Sequence, residues 1–345
     1  MKTNRRLNLS IAVVMLALGT LLSAPPVEAG EKFSWTLVTP FPISDATTPR
    51  MIEWAKEVER ETNGDLRIKV MVAGQHPYQY RDGLKIVTDG LAQLSHTGLT
   101  YLTSVESWFA LPLVPFAVPF DKHMDFLVQW HEKVANPYLE KKYNLKVLTY
   151  FLDAGGWGNA IHTPVPLERL DSLKGLKIRA HDKYTSALAQ ILGAVPATVP
   201  YSELYVALQQ KSIDGVMTSL VGAYGQKLWE LVKNTSMYDP YFGVDEIVVS
   251  ADVWAKVPPP LQQKLNTLLQ KWVGRESMYA YHSTRNEEIM KEAKEKYGAK
   301  FTTPTPAFTA QMREKCGSLL DAYVTDGGDM AKQSVALLNE LMRQK

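Results

Sequence analysis

Apolar segments and amphipathic segments alternate along the first third of the chain. Residues 33–38 are largely apolar and predict a first strand, and 45–61 follow with apolar side chains at helical spacing before an Asn-Gly stop. Residues 65–72 alternate apolar and polar side chains, 80–88 have a helical pattern, and 90–98 begin a further strand. This β-α-β-α-β order predicts an α/β fold, in which ligands bind at the carboxyl ends of the strands.

The central region does not continue this alternation of strands and helices. Residues 111–120 are apolar throughout, but their three prolines exclude a long helix, so we predict an extended crossing segment. Residues 145–151 form an apolar strand that leads into a second lobe, where 160–162 are another strand candidate. Residues 246–250 predict a strand that returns to the first lobe.

A long helical pattern occupies residues 258–297. A helix of about 40 residues spans about 60 Å, so it would lie across both lobes unless Gly274 breaks it. Chains of more than about 250–300 residues usually divide into domains, which predicts two lobes here. The predicted lobes are 30–152 plus about 239–274, and 153–238 plus about 275–345.

One charged side chain stands out in the second lobe. Residues 176–179 form a short strand that ends in Arg179, and a helical pattern follows over 184–192. Ser202 can cap the next helix, and 213–216 form a second strand. The guanidinium group of an arginine is always charged, and its planar set of N–H donors matches the geometry of a carboxylate or a sulfonate. Arg179 therefore provides an anion-binding group at the carboxyl end of a strand.

The same region carries an ordered series of motifs. They are Leu-Lys-Gly-Leu-Lys-Ile-Arg at 173–179, Leu-Gly-Ala-Val-Pro at 192–196, Tyr-Ser-Glu-Leu-Tyr-Val-Ala-Leu at 201–208 and Asp-Gly at 214–215. The series resembles the signature of solute-binding proteins of tripartite ATP-independent periplasmic (TRAP) transporters, of the C4-dicarboxylate-binding type. The resemblance implies a two-lobed periplasmic protein without a cofactor that closes on a small organic acid and delivers it to a membrane permease.

The resemblance also implies roles for three residues. Arg179 would pair with the ligand carboxylate, and the ring of Tyr201 would pack against the solute. Thr218 stands where many members carry an asparagine, and its hydroxyl can still donate one hydrogen bond. Without the resemblance, an isolated arginine would be read as a solvated strand residue, and Tyr201 would be as readily a core residue as a ligand contact.

Asn159 bears on the kind of acid. It lies near the spacing from Arg179 at which some members that bind diacids or sialic acid carry a second arginine. Because that arginine is missing, we predict a monocarboxylate ligand with an aromatic or hydroxylated body. Trp157 and Asn159 either line the pocket or belong to a loop with a packed tryptophan.

Further candidates share a position at strand ends or in the loops that follow them. They are Phe41, His76, Thr97 and Thr100 in the first lobe, and Tyr224, Phe242 and Asp245 later in the chain. Aromatic residues cluster at these loops, which either an aromatic pocket wall or ordinary core packing would explain.

The first 29 residues have the pattern of a cleaved signal peptide. Three basic residues precede the apolar stretch 9–24, and Val27-Glu28-Ala29 offers a cleavage site. We therefore predict export to the periplasm; a single membrane anchor is the alternative. Residues 1–29 carry three of the 38 basic and one of the 36 acidic residues, so the remainder is formally neutral and has no electrostatic footprint for nucleic acid.

The sequence contains no motif for catalysis or metal binding. It lacks a GxSxG elbow, a P-loop and an HExxH pair, and its 7 histidines show no metal-ligand spacing. Cys316 is the single cysteine, which predicts a buried thiol in a helix. We predict a binding protein rather than an enzyme. A ligand-binding sensor for a membrane kinase would use the same fold, and an exported enzyme acting on an organic acid is the third possibility.

Overall fold

The computed structural model describes residues 32–344. The predicted signal peptide lies outside this range. Two β-sheets with helices packed on them form a two-lobed α/β protein, as the sequence predicts. We call the elements around the first sheet the first lobe and those around the second sheet the second lobe.

The first sheet has five strands. In spatial order they are β2 (Leu66–Met71), β1 (Phe33–Val38), β3 (Leu94–Thr97), β10 (Val244–Ser250) and β4 (Leu145–Leu152). β1 is parallel to β2 and β3, and β10 is antiparallel to both β3 and β4. The prediction that the chain returns to the first lobe near residue 246 is therefore confirmed, because β10 fills the place between β3 and β4.

The second sheet has six strands. In spatial order they are β11 (Lys300–Thr302), β9 (Asn234–Met237), β5 (Asn159–Thr163), β8 (Gly215–Ser219), β6 (Lys177–Ala180) and β7 (Val195–Thr198). β6 is parallel to both of its neighbours, β7 and β8. The carboxyl ends of these three strands therefore meet at one edge of the sheet.

Helices cover both sheets. They are α1 (Thr48–Glu61), α2 (Gly83–Thr88), α3 (His123–Trp130), α4 (Asn136–Tyr143), α5 (Lys183–Ile191), α6 (Leu204–Gln209), α7 (Leu220–Gly225), α8 (Ala251–Ala255), α9 (Pro259–Val273), α10 (Arg275–Tyr297), α11 (Pro306–Cys316) and α12 (Ser318–Arg343). On α1, Met51, Trp54 and Val58 are fully buried in the core of the first lobe. Burial of each such side chain contributes about 1.5–3 kcal/mol.

The apolar stretch 111–120 differs from its prediction. Ser107–Leu113 form a largely buried 3₁₀ helix, and the residues after it turn, with Val114 extended and Phe116 at a φ of 62°. Pro112 lies inside this short helix, where the tighter i to i+3 pattern tolerates it. The amide of Phe116 then donates to the carbonyl of Pro240, at 2.6 Å.

Gly274 does interrupt the long helical pattern. Its backbone is extended, with φ −71° and ψ 155°, so α9 ends before it and α10 begins after it. α10 nevertheless touches both lobes. His282 bonds Thr47 of the first lobe at 3.2 Å, and Arg285 lies over the ring of Tyr224 in the second lobe, 4.7 Å from its centroid.

The last two helices belong to different cores. α11 packs into the second lobe and buries Cys316 as a free thiol, which confirms the sequence prediction for this residue. α12 packs against the first-lobe helices, where its Tyr323 hydroxyl donates to the carbonyl of Trp108 at 2.7 Å. This placement differs from the predicted grouping of 275–345 with the second lobe, since tryptophan and phenylalanine side chains of the first lobe provide the apolar surface that α12 covers.

Two connections carry the chain between the sheets, one after β4 and one before β10. Each contains a residue with left-handed backbone, Ala154 with φ 52° and Asp239 with φ 40°. Asp239 joins its connection to the start of β5, because its carboxylate accepts the amide hydrogen of Asn159 at 2.7 Å. Within residues 32–344, no helix is both long enough and apolar enough to cross a membrane.

Candidate functional site

Arg179 lies across the carboxyl ends of three parallel strands. It is the third residue of β6, and its Nε donates to the carbonyl of Val199, just after β7, at 3.0 Å. Its Nη1 donates to the carbonyl of Met217 in β8, at 3.3 Å. These two bonds fix the plane of the guanidinium and leave three of its five N–H groups for another acceptor.

The guanidinium is buried, and no side chain among residues 32–344 forms a salt bridge with it, while the carboxyl group of Asp182 acts on it electrostatically at longer range. Only 8 % of Arg179 is exposed, and no carboxylate among residues 32–344 lies within 4.0 Å of its nitrogens. Burial lowers the pKa of Arg179, yet an arginine stays protonated at physiological pH. Burial, together with the positive charge of Arg179, also holds the pKa of His181 well below its usual value, so the arginine carries the charge at this place.

The first sheet presents a matching edge. β1, β3 and β4 run in the same direction and end there, whereas the antiparallel β10 begins there. Side chains that follow β1 and β4, or that open β10, are thereby gathered into one group. Phe41, Asp45, Asp153 and Asp245 occupy these positions.

Aromatic rings join the two edges. The ring of Phe41 meets the ring of Tyr201 edge-on, with centroids 5.8 Å apart, and lies 5.2 Å from Tyr80. The ring of Tyr101 lies 5.0 Å from Tyr80 and 5.3 Å from His181. The contacts of Phe41 with Tyr201 and of Tyr101 with His181 both cross from the first lobe to the second. The rings therefore form a continuous wall beside Arg179.

Two glycines make room for the tyrosines of this wall. A Cβ atom at Gly98 would overlap the hydroxyl of Tyr80, and one at Gly243 would overlap the hydroxyl of Tyr101. The hydroxyl of Tyr101 can therefore reach the carboxylate of Asp153 and donates to it at 3.1 Å. The hydroxyl of Tyr80 donates to the carboxylate of Asp245.

The structure brings together Arg179, Tyr201 and Phe41, all of which the sequence singles out. Thr218 is adjacent to them, since it follows Met217, whose carbonyl accepts from Arg179. Its side chain is half-buried beside Gly222, and the carbonyl of Gly222 accepts from the hydroxyl of Tyr201 at 3.3 Å.

Trp157 lies in the connection after β4, and Asn159 is the first residue of β5. The side chain of Asn159 is buried and donates to the carbonyl of Tyr241 at 3.2 Å. The indole N–H of Trp157 donates to the hydroxyl of Ser283 on α10 at 3.1 Å. Both side chains are therefore engaged in holding the connection against its neighbours.

Four other candidates lie apart from the Arg179 group. The ring of His76 bonds the carbonyl of Thr39 at 2.9 Å, and Thr97 is fully buried against Gly83. Tyr224 faces Arg285 of α10. Phe242 is fully buried in the core of the first lobe, where its ring lies 4.0 Å from that of His123 and 6.5 Å from that of Phe126, both on α3.

Sequence reasoning missed several members of the group, namely Asp45, Tyr80, Tyr101, Asp153, His181 and Tyr241. Asp153 and His181 directly follow strands β4 and β6 and could have been found by the rule that singled out Arg179. Tyr80 and Tyr101 lie in short 3₁₀ helices, and a contact between residues as far apart in sequence as Tyr80 and Asp245 leaves no local pattern. No group of histidine, cysteine and acidic side chains in the described part of the chain could hold a metal ion.

Two lobes that face each other across a buried cation without a salt-bridge partner are typical of proteins that bind a small anionic solute. Comparison with known families agrees with this class. Residues 44–326 match the model of the bacterial extracellular solute-binding protein family 7, and the chain belongs to that family. The resemblance to TRAP solute-binding proteins drawn from residues 173–215 is thereby confirmed.

Solved structures with the same fold include an extracytoplasmic solute receptor of Bordetella pertussis that binds pyroglutamic acid. It is 21 % identical, with a TM-score of 0.78 over 89 % of this chain and 99 % of that one. A TRAP periplasmic solute-binding protein of Haemophilus influenzae with bound L-gulonate is 22 % identical, with a TM-score of 0.74 over 90 % and 99 %. The C4-dicarboxylate-binding periplasmic protein of Rhodobacter capsulatus is 27 % identical over 48 % of this chain and 56 % of its own length.

Proposed function

We propose that the chain is exported by a cleaved signal peptide and captures a small organic monocarboxylate in the periplasm for a TRAP membrane permease. The observation that carries this proposal is the buried guanidinium of Arg179, which has three free N–H groups and no carboxylate within reach. A ligand carboxylate would supply both the missing acceptor and the missing charge. The family to which the chain belongs supports a role in solute transport.

Closure of the two lobes provides the mechanism of capture. Phe41 and Tyr101 come from the first lobe, and Tyr201 and His181 from the second, so their contacts form only when the lobes meet. We propose that the lobes turn about the connections that contain Ala154 and Asp239. Closure would expel water from the ion pair at Arg179 and strengthen it, because charges attract more strongly at a lower effective dielectric constant.

The number of carboxylates on the ligand follows from the number of cationic side chains at the site. Arg179 is the cation of the group, and the opposite edge contributes the carboxyl groups of Asp45, Asp153 and Asp245. A second ligand carboxylate would face these acidic groups rather than a second cation. Pyroglutamic acid and gulonate, bound by two of the similar structures, each have one carboxylate, which supports the proposal. Another similar structure binds succinate, so the count needs a direct test.

A thermal-shift panel on the mature chain provides that test. It should contain monocarboxylates with cyclic, aromatic and hydroxylated bodies, together with C4 and C5 diacids. We expect one or more monocarboxylates to raise the melting temperature in a dose-dependent way, because a ligand that binds only the folded state stabilises it by mass action. Stabilisation by diacids alone would refute the monocarboxylate proposal, and a panel without any stabilising acid would refute the function.

A further inference from the structure

Three carboxyl groups lie at the first-lobe edge that faces Arg179. Asp45 and Asp245 are 6 % and 1 % exposed, and Asp153 is half-buried. Asp45 accepts the amide hydrogen of Thr47 at 2.8 Å, and Asp153 accepts the hydroxyl hydrogen of Tyr101 at 3.1 Å. The hydroxyl of Tyr80 donates to Asp245, so each of the three carboxyl groups accepts at least one hydrogen bond from the protein.

These groups act on one another as like charges. Burial raises the pKa of Asp45 to about 6, and the charge of Asp245 adds to the effect. Burial also raises the pKa of Asp153 well above its usual value, with Asp245 and Asp45 as further causes. Among residues 32–344, no lysine or arginine nitrogen lies within 4.0 Å of any of the three, and His96 at 3.4 Å from Asp245 is the nearest basic partner. Positive charge is therefore missing at this edge.

Arg179 is the independent observation that points to a ligand between the edges. Its guanidinium is more than nine-tenths buried, and no carboxylate among residues 32–344 lies within 4.0 Å of it, just as no lysine or arginine nitrogen lies within 4.0 Å of the three acids. Tyr101 links the two sides, because its hydroxyl donates to Asp153 and its ring lies 5.3 Å from His181, the residue after Ala180 at the end of the Arg179 strand. A solute bound between the two edges would meet the guanidinium on one side and the carboxyl groups on the other.

We propose that the ligand is a nitrogen-bearing acid, whose carboxylate binds Arg179 while an N–H group on its other side donates to the carboxyl groups of Asp45, Asp153 and Asp245. This inference rests on the proposed function and names the class of acid. Any N–H group donates to these acceptors, and a protonated nitrogen also offsets negative charge, neither of which a second carboxylate or an apolar body can do. The surrounding rings of Phe41 and Tyr201 favour a compact or cyclic body between the two polar ends.

Matched pairs of acids test the nitrogen directly. L-proline and cyclopentanecarboxylate differ at the ring nitrogen, as do L-pyroglutamate and 3-oxocyclopentanecarboxylate. Calorimetric titration of the mature chain should give a dissociation constant roughly 10- to 100-fold lower for the nitrogen-bearing member of at least one pair, the value of one charge-assisted hydrogen bond. If neither member of these five-membered-ring pairs binds, a longer amino acid and its deaminated analogue extend the series.

Variants show whether the carboxyl groups cause the preference. Asp153→Asn keeps an acceptor for Tyr101 but loses the charge, and Asp45→Asn keeps the bond to the Thr47 amide. Each should reduce the preference for nitrogen several-fold, whereas Asp89→Asn, at an exposed position of the first lobe, should leave it unchanged. Melting temperatures without ligand show that the variants fold.

The possible results separate the two proposals. Equal binding of both members of every pair, or tightest binding of a diacid, overturns the inference about nitrogen and leaves capture of an acid at Arg179 intact. A nitrogen preference that survives both aspartate substitutions also overturns the inference. If no acid binds at all, the proposed function fails together with it.

Discussion

Replacement of Arg179 by lysine is the most direct perturbation of the site. Lysine keeps the positive charge but loses the planar fork, so one charge-assisted hydrogen bond to a ligand carboxylate is lost. Such a bond contributes about 1.5–3 kcal/mol, which corresponds to affinity about 10- to 150-fold weaker. Removal of the charge as well, in Arg179→Ala, should cost about 2–5 kcal/mol, or about 30-fold to several thousand-fold, because it removes one partner of a buried ion pair.

The substitution also has a structural cost that must be measured separately. Arg179 donates to the carbonyls of Val199 and Met217, so its loss leaves acceptors without a donor at the ends of β7 and β8. Each such acceptor costs about 1–3 kcal/mol when buried. The melting temperature without ligand should therefore fall in Arg179→Ala, and less so in Arg179→Lys.

The assay is calorimetric titration with the acid that stabilises the wild-type protein most strongly, at a temperature where circular dichroism shows each variant to be folded. Arg169→Lys is the matched control, because Arg169 is also in the second lobe, pairs with Asp171 at 2.6 Å and has a 77 % exposed side chain. The control should bind as the wild type does. If folded Arg179→Lys and Arg179→Ala both bind within about twofold of the wild type, a difference of less than about 0.5 kcal/mol, the guanidinium is not the anchor of the ligand.

Three further predictions concern the surroundings of the site. Phe41→Leu should weaken ligand binding with little loss of stability, as calorimetric titration and denaturant unfolding would show. Phe242→Leu should lower the unfolding free energy by about 1 kcal/mol or more and leave the affinity unchanged. The reverse result would indicate that the ligand contacts Phe242 and not Phe41. Gly243→Ala should displace the Tyr101 ring and weaken both stability, by about 1–3 kcal/mol, and affinity; unchanged values for both would contradict the close approach seen here. Burial lowers the pKa of His162 to about 4, below the value of about 6.5 in an unfolded chain, so protonation favours the unfolded state as the pH falls from about 6.5 toward 4. The unfolding free energy should therefore be lower by about 2 kcal/mol at pH 5 than above pH 7. In His162→Gln the unfolding free energy should therefore fall less between pH 7 and pH 5, and an unchanged pH dependence would show that the buried imidazole is not the cause.

The sequence was informative wherever a local pattern decides the structure. The strand at Phe33–Val38 and the helix after it follow from the period of their apolar residues, and Arg179 was found because it ends a short strand. The long pattern at 258–297 shows the limit of this reasoning. Its helical period continues through Gly274, and the extended backbone of that single residue divides it into two helices.

The other side of the site depends on distant parts of the chain. Tyr80 meets Asp245, and Tyr101 meets Asp153, because strands from separate parts of the sequence end at the same edge of a sheet. Asp245 was noted as a candidate, yet nothing near it in sequence shows that Asp45 and Asp153 lie beside it. The order of strands in the first sheet places them together, and that order is decided by tertiary packing.

The position of β10 has a consequence for how the protein is made. The strand that fills the middle of the first sheet is synthesised about 90 residues after β4, so until then β3 and β4 expose unpaired edges, and the connecting sequence is long enough to slow their pairing. A ribosome-bound or partly exported chain that ends before residue 244 has a half-built sheet open to aggregation. Completion of the first lobe must therefore wait for the second to be made, and the two halves should gain protection from proteases together.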